Sequence, residues 1–211
     1  MLVENDWILV TIYFVLLMIL VIISNILYKK LEVSGKITRR IVHIGVGLII
    51  CTTPFILEHW LPPALLATVF IFANAIAIKN KKMEGIHSPN RISYGTVFFP
   101  ITYLVLIFLF WKTSPEILII SMLLLTISDP IAAIVGEQYG ETFTTFLHDK
   151  KSFRGLIGVF LSALLLTLIS LFLMVRFNYI DYINNLNILL ISLSIAIIAV
   201  PAEAISVKGT D

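Results

Sequence analysis

Seven apolar runs, most of them near bilayer length, constrain this chain more than any other feature. They extend from about Trp7 to Tyr28, Ile41 to Leu57, Leu61 to Ile78, Thr96 to Trp111, Ile117 to Gly136, Gly155 to Val175 and Leu186 to Val200. A helix needs about 20 apolar residues to cross the hydrocarbon core of a bilayer. Backbone groups find no water to bond there, so each run is predicted to be helical. Composition agrees: 59% of the 211 residues are hydrophobic and 13% charged, against about 45–50% and about 25% in soluble domains. The predicted fold is all-α and polytopic, one transmembrane helical domain over residues 1–211 with about seven spans, the last of them the shortest. Glu4 and Asp6 stand where a cleavable signal would carry basic residues, so the first run reads as a span. Cys51 lies inside an apolar run and reads as a packing residue.

The basic residues orient these helices. Lys29, Lys30, Lys36, Arg39 and Arg40 fall between the first two runs; Lys79, Lys81, Lys82 and Arg91 fall between the third and fourth. Lys150, Lys151 and Arg154 fall between the fifth and sixth, and Lys208 follows the seventh. Only Lys112 and Arg176 lie on the other side. The positive-inside rule then places the N-terminus outside and the basic loops in the cytoplasm, at a cell membrane. The chemistry-capable residues share that side.

The fifth run holds one ionisable residue, Asp129. An ionised carboxylate at membrane depth costs several kcal/mol, so such residues face a cavity, a metal or a partner. As a hard oxygen ligand it suits Mg²⁺, which takes one or two carboxylates together with substrate phosphates. Pro130 follows at once and has no N–H, which predicts a kink where the Thr126 carbonyl loses its donor. Ser128, Ala132, Gly136 and Gly140 recur every four residues, a face that admits close approach of a backbone or a ligand. Glu137 is eight residues from Asp129, roughly 12 Å along a helix, too far to share an ion with it.

Beyond this run lies a polar loop with His148, Asp149, Lys150, Lys151 and Arg154. Its Lys151-Ser152-x-x-Gly155 entry into the sixth run offers ammonium donors, a hydroxyl and helix N-terminal amides to an anionic phosphate. The upstream glycine spacing of a Walker A loop is absent. Arg40 and His43 lie within one helical turn at the start of the second run, where both also suit interfacial anchoring. Gly95 and Thr96 open the fourth run, ahead of Pro100. Asn74 is the amide-bearing side chain of the third run; interhelical hydrogen bonding and ligand contact explain it equally well.

These pieces together resemble the CTP-dependent lipid-alcohol kinases: dolichol kinase, phytol kinase and yeast-type diacylglycerol kinase. Four motifs match in order over about residues 36–211. They are Arg39-Arg40-x-x-His43 with Gly45 and Gly47, Ser93-Tyr94-Gly95-Thr96 with Pro100, Asp129-x-x-Ala132 with Gly136 and Gly140, and Lys151-Ser152-x-x-Gly155. The resemblance implies γ-phosphoryl transfer from CTP, with Mg²⁺, to the hydroxyl of a phytol, polyprenol or diacylglycerol type of lipid. It implies Asp129 as metal ligand, and Asp129, Lys151 and His43 as catalytic residues. Gly136, Gly140, Lys150, Lys151, Ser152, Arg154 and Gly155 would bind nucleotide, and Arg40, Asn74, Gly95 and Thr96 substrate or phosphate. The expected partners are the bilayer, the lipid and the nucleotide, not nucleic acid.

Three departures stand out. Ser128 precedes Asp129 and Pro130 follows it, where the family often has Gly-Asp, and Arg154 stands where it often has glutamate. Glu203-x-x-Ser206-x-x-Gly209-x-Asp211 is similar to a C-terminal loop that in the family continues into another helix. A phosphatidate cytidylyltransferase is the nearest alternative; it calls for paired acids around two metals, and only Asp129 is well placed. A small transporter calls for polar residues on both membrane faces, whereas here they gather on one.

Overall fold

The computed structural model describes residues 2–79, 94–139, 142–144 and 150–206. It is helical wherever the sequence is apolar. Helix α1 covers Leu2–Lys30, α2 Gly35–Cys51, the short α3 Thr53–Ile56, α4 Leu61–Lys79 and α5 Gly95–Phe110. A continuous stretch follows of α6 (Pro115–Leu123), a π-helical turn (Leu124–Ser128) and α7 (Asp129–Tyr139). A two-stranded hairpin, β1 (Thr142–Thr144) and β2 (Lys150–Ser152), leads into α8 (Phe153–Arg176), and α9 (Asn185–Ile205) completes the chain. By length and composition, six helices are long and apolar enough to cross a membrane, and α5 is a shorter apolar helix of 16 residues. The shortest apolar segment is thus the fourth. The seventh, expected to be shortest, is a 21-residue helix that buries few residues and exposes Leu186, Leu190, Ile197 and Ile198, as a lipid-facing helix would.

The chain forms two compact units, Met1–Ile119 and Ile120–Val207, with the boundary inside α6. In the first, α1 packs on α2 and α4, and α4 on α5. The core includes Leu17, Tyr103, Ile107 and Leu118. At one end of this unit, polar groups pair with specific partners. The Tyr103 and Thr53 hydroxyls are 2.6 Å apart, as are those of Tyr13 and Thr52. Asp6, 2% exposed, accepts hydrogen bonds from the Glu58 and His59 amides at 3.3 and 2.8 Å, and its Oδ2 is 2.9 Å from His59 Nδ1. A carboxylate at the head of α1 thereby ties down the α3–α4 connection.

Proline shapes both units, by two different solutions. In α5, Pro100 has no N–H, so the Thr96 carbonyl four residues earlier loses its helical donor. Asn74 Nδ2 of α4 donates to that carbonyl at 2.9 Å. The interhelical role considered for Asn74 is therefore present, with a backbone cause. Replacing Asn74 by alanine is expected to lower unfolding stability by about 0.6–1.7 kcal/mol, the range of membrane hydrogen bonds. The loss should shrink in a Pro100→Ala background, where residue 100 again supplies a donor; thermal unfolding in detergent of the two singles and the double checks this.

In the α6–α7 stretch, Pro130 falls immediately after a widened π-helical turn that ends at Ser128. The predicted kink takes this form. The ladder shifts register just ahead of the residue that would have interrupted it, a distortion frequent at functional sites.

Within the second unit, α7 and α9 both pack on α8, and β2 contacts α7 and α8. The hairpin is antiparallel, pairing Thr142 with Ser152, Phe143 with Lys151 and Thr144 with Lys150. Nothing in the polar loop signalled these strands. They gather the end of α7, the start of α8 and the end of α9 at one end of the unit.

Candidate active site

Ser152 is the hinge of this end. Its side chain caps α8, accepting from the Gly155 amide at 3.0 Å, and is buried. The hydroxyl and the first-turn amide expected to meet a phosphate thus meet each other. The same oxygen explains two glycines. A Cβ on Gly136 would lie 2.7 Å from Ser152 Oγ. One on Gly155 would lie 2.9 Å from Ser152 Oγ and 3.0 Å from the Ala132 carbonyl. One turn further, Gly158 packs against Val135 and Ile131 at ordinary distances. The small-residue face of α7 is therefore the seam against α8, and Gly136 and Gly155 set how closely the hairpin end closes.

Strand alternation sends Lys151 to the opposite side from Ser152. Its Nζ donates to Glu203 Oε1 at 2.5 Å and to Ser206 Oγ at 2.7 Å, both at the C-terminal end of α9. The side chains of Lys151 and Glu203 are 16% and 12% exposed. Ser206 Oγ in turn donates to the Glu203 carbonyl at 2.9 Å. Arg154 is exposed on the first turn of α8. Lys150 is in β2, and Gly140, His148 and Asp149 lie outside the described residues.

Asp129 opens α7, half-buried. It lies seven residues before Gly136, two helical turns or roughly 10 Å deeper along the helix and within about 20° of the same face. The face that carries Gly136 to Ser152 thus carries Asp129 at a deeper level. Beside it, Ser128 Oγ and Thr126 Oγ1 are buried and have no hydrogen-bond partner among the described residues. The hydroxyls of Thr68, Ser162, Ser192 and Ser194 instead donate to the carbonyl four residues back, at 2.7–2.8 Å, whereas Thr96 Oγ1 and Thr167 Oγ1 are likewise buried with no partner among the described residues.

A carboxylate with a neighbouring hydroxyl is a hard-oxygen set. Among the described residues no three acidic, histidine or cysteine side chains gather as a complete metal cage. The set fits a Mg²⁺ ion that takes one protein carboxylate and completes its shell with phosphate and water.

In the first unit, the candidates converge on the opening turns of α5. His43 of α2 meets Phe99 edge-on, with ring centroids 4.9 Å apart. Thr96, one turn before Phe99, receives Asn74 on its carbonyl, and Gly95 begins the helix. Arg40 lies one turn before His43 on α2. Glu203 and Ser206 were absent from the predicted site. Their sequence signal was the C-terminal Glu203-x-x-Ser206 pattern, which carried no indication of its partner 52 and 55 residues away.

The chain has relatives of known name. It is 27% identical over 198 residues to "Phytol kinase" of Synechocystis sp., covering 90% of this chain and 80% of that protein. It is 25% identical over 178 residues to "Probable phytol kinase, chloroplastic" of Zea mays, covering 78% of this chain and 57% of the relative. With "Probable phytol kinase 1, chloroplastic" of Oryza sativa subsp. japonica it shares 27% identity over 154 residues, 66% of this chain and 48% of the relative. The matched part is thus about half the length of the plant proteins. No family model matches the chain, and no solved structure matches it significantly. The resemblance carried by the four motifs is borne out by homologues bearing the name of one of those kinases.

Proposed function

We propose that this homologue of phytol kinases is a membrane-embedded kinase that moves the γ-phosphoryl group of CTP onto the hydroxyl of a lipid alcohol of the phytol or polyprenol type. The acceptor oxygen forms a bond to the γ-phosphorus, the bond from that phosphorus to the β–γ bridging oxygen breaks, the hydroxyl proton is released, and CDP leaves. Such transfer needs mostly positioning and neutralisation of charge. The observation that carries the reading is that Asp129 lies on the face of α7 whose Gly136 meets Ser152, the residue that follows Lys151 in β2. The separation of roughly 10 Å between Asp129 and Gly136 is a span that a nucleotide's phosphate chain can bridge.

Lys151 and Arg154, with Lys150 beside them, take the phosphates, while Gly136 and Gly155 hold the hairpin end closed behind them. Gly140 belongs to the same nucleotide loop by resemblance. Asp129 holds Mg²⁺, which when bound screens the charge of the phosphate oxygens. The lipid enters laterally between helices, so its hydroxyl reaches the depth of Asp129 while its chain stays in the bilayer. By resemblance, His43 is assigned a catalytic role, and Arg40, Asn74, Gly95 and Thr96 are assigned to substrate or phosphate. The positive-inside pattern supports a nucleotide site on the cytoplasmic face.

Two labels test this in proteoliposomes. With γ-labelled CTP or ATP, Mg²⁺ and a panel of phytol, geranylgeraniol, polyprenol and diacylglycerol, label is expected in a lipid phosphate, with CTP the better donor. Lipid labelled from α-labelled CTP and phosphatidate instead would make the protein a cytidylyltransferase.

A further inference from the structure

Thr126 has no role in the transfer described above. It lies in the π-helical turn that packs on α8, is 0% exposed, and its Oγ1 has no hydrogen-bond partner among the described residues. Widened turns of this kind are frequent at functional sites. A hydroxyl offers one donor and two acceptor positions, and burying it unpaired costs stability, which a partner from outside the chain would offset. A neutral partner that both donates and accepts suits it best, which is the chemistry of an alcohol or of water.

The position of Thr126 decides between these two. Gly136, Asp129 and Thr126 follow in order of depth, with Thr126 three residues, roughly 4 Å, beyond Asp129. Ser128, next to Asp129, is closer to the level of the carboxylate. In phosphoryl transfer the attacking and leaving oxygens lie roughly in line. A phosphate chain running from the hairpin end to Asp129 has its leaving oxygen on the Gly136 side. The attacking oxygen then comes from the deeper side, where Thr126 stands and from which a lipid hydroxyl arrives.

We infer that Thr126 binds the acceptor hydroxyl, its Oγ1 hydrogen-bonding the lipid alcohol and holding that oxygen in line with the γ-phosphorus. The inference rests on the reading that places the γ-phosphoryl group at Asp129. Thr167 of α8 is a matched control, 0% exposed and with no partner for its Oγ1 among the described residues. It lies nine residues after Gly158, half a turn round α8 from the side that meets α7.

The test compares phytol with phytane, the same carbon chain without the hydroxyl. Binding of tritiated phytol and its displacement by phytane are measured on the full chain in detergent with Mg²⁺. The lipid KM, the Kd for Mg-CTP and thermal unfolding are followed in parallel. Wild type is expected to prefer phytol about tenfold, the scale of one hydrogen bond. Thr126→Val, which keeps the shape and removes the hydroxyl, should abolish that preference and raise the lipid KM by a similar factor. It should leave the Kd for Mg-CTP unchanged and the unfolding temperature equal or higher, because a buried unpaired hydroxyl is gone. Thr126→Ser should restore the preference, and Thr167→Val should never lose it. A wild type that binds both lipids equally would overturn the inference, as would a Thr126→Val protein that still prefers phytol. Lowered stability with an unchanged preference would assign Thr126 to a structural water instead. If Thr126→Val fails to fold, Thr126→Ala is judged by the same ratio. Phytol preferred through Thr126, with no lipid phosphate formed, contradicts the kinase reading alone; lipid phosphate formed with an unchanged lipid KM in Thr126→Val contradicts this inference alone.

Discussion

Asp129→Asn is expected to lower lipid phosphorylation at least a hundredfold, while leaving the protein folded. The lower bound follows from the usual effect of removing one preorganised electrostatic contact to a transition state, about a hundredfold to a thousandfold. Asparagine keeps the shape and one acceptor oxygen but removes the charge that would hold a divalent cation against phosphate. The same change relieves a charge of its membrane environment, so thermal stability should hold or rise. These opposite directions make the experiment decisive about role. If Asp129 were a helix-packing contact, asparagine would preserve its hydrogen bond and activity would stay close to wild type. Initial rates at saturating nucleotide, alongside unfolding in the same detergent, read both quantities.

Gly155→Ala is expected to give the largest loss of stability among single-methyl changes in the second unit. The added Cβ would sit 3.0 Å from the Ala132 carbonyl, a backbone atom that cannot swing aside, and 2.9 Å from Ser152 Oγ. Overpacking of this kind costs about 1–3 kcal/mol. Displacing Ser152 from the Gly155 amide removes the α8 cap as well, about 0.5–2 kcal/mol. Gly136→Ala meets Ser152 Oγ alone and should cost less, through the cap. Gly158→Ala meets Val135 and Ile131 at 3.5–3.6 Å and should be close to neutral. Thermal unfolding of the three variants reads this order directly; a Gly158→Ala loss as large as that of Gly155→Ala would show that the seam is governed by something other than Ser152.

What the sequence reveals about this fold, and what it hides, follows from how local each cause is. The helices were legible because an apolar run in lipid has one backbone solution. The distortion ahead of Asp129 was legible in place, from Pro130, but not in form, because proline dictates only which donor is missing. At Thr96 the missing donor is supplied by a side chain, Asn74; ahead of Asp129 the helix itself widens. The hairpin was hidden because three-residue strands of threonine and lysine carry no alternating apolar pattern. Ser152 and Gly155 read as a helix entry in the sequence, and α8 does begin between them, but their bond to each other is visible only in the fold. Lys151 with Glu203 and Asp6 with His59 were hidden for a single reason. Each pair joins residues more than fifty positions apart, and charge along the chain says nothing of such meetings.

The measurement that bears most directly on the whole account is the mass of the lipid product. Purified protein in proteoliposomes, given phytol, CTP and Mg²⁺, should yield the lipid heavier by one phosphoryl group, together with an equal amount of CDP. Phytol recovered unchanged, along with every other alcohol offered, while the protein is folded and CTP is intact, would contradict the assignment as a lipid-alcohol kinase.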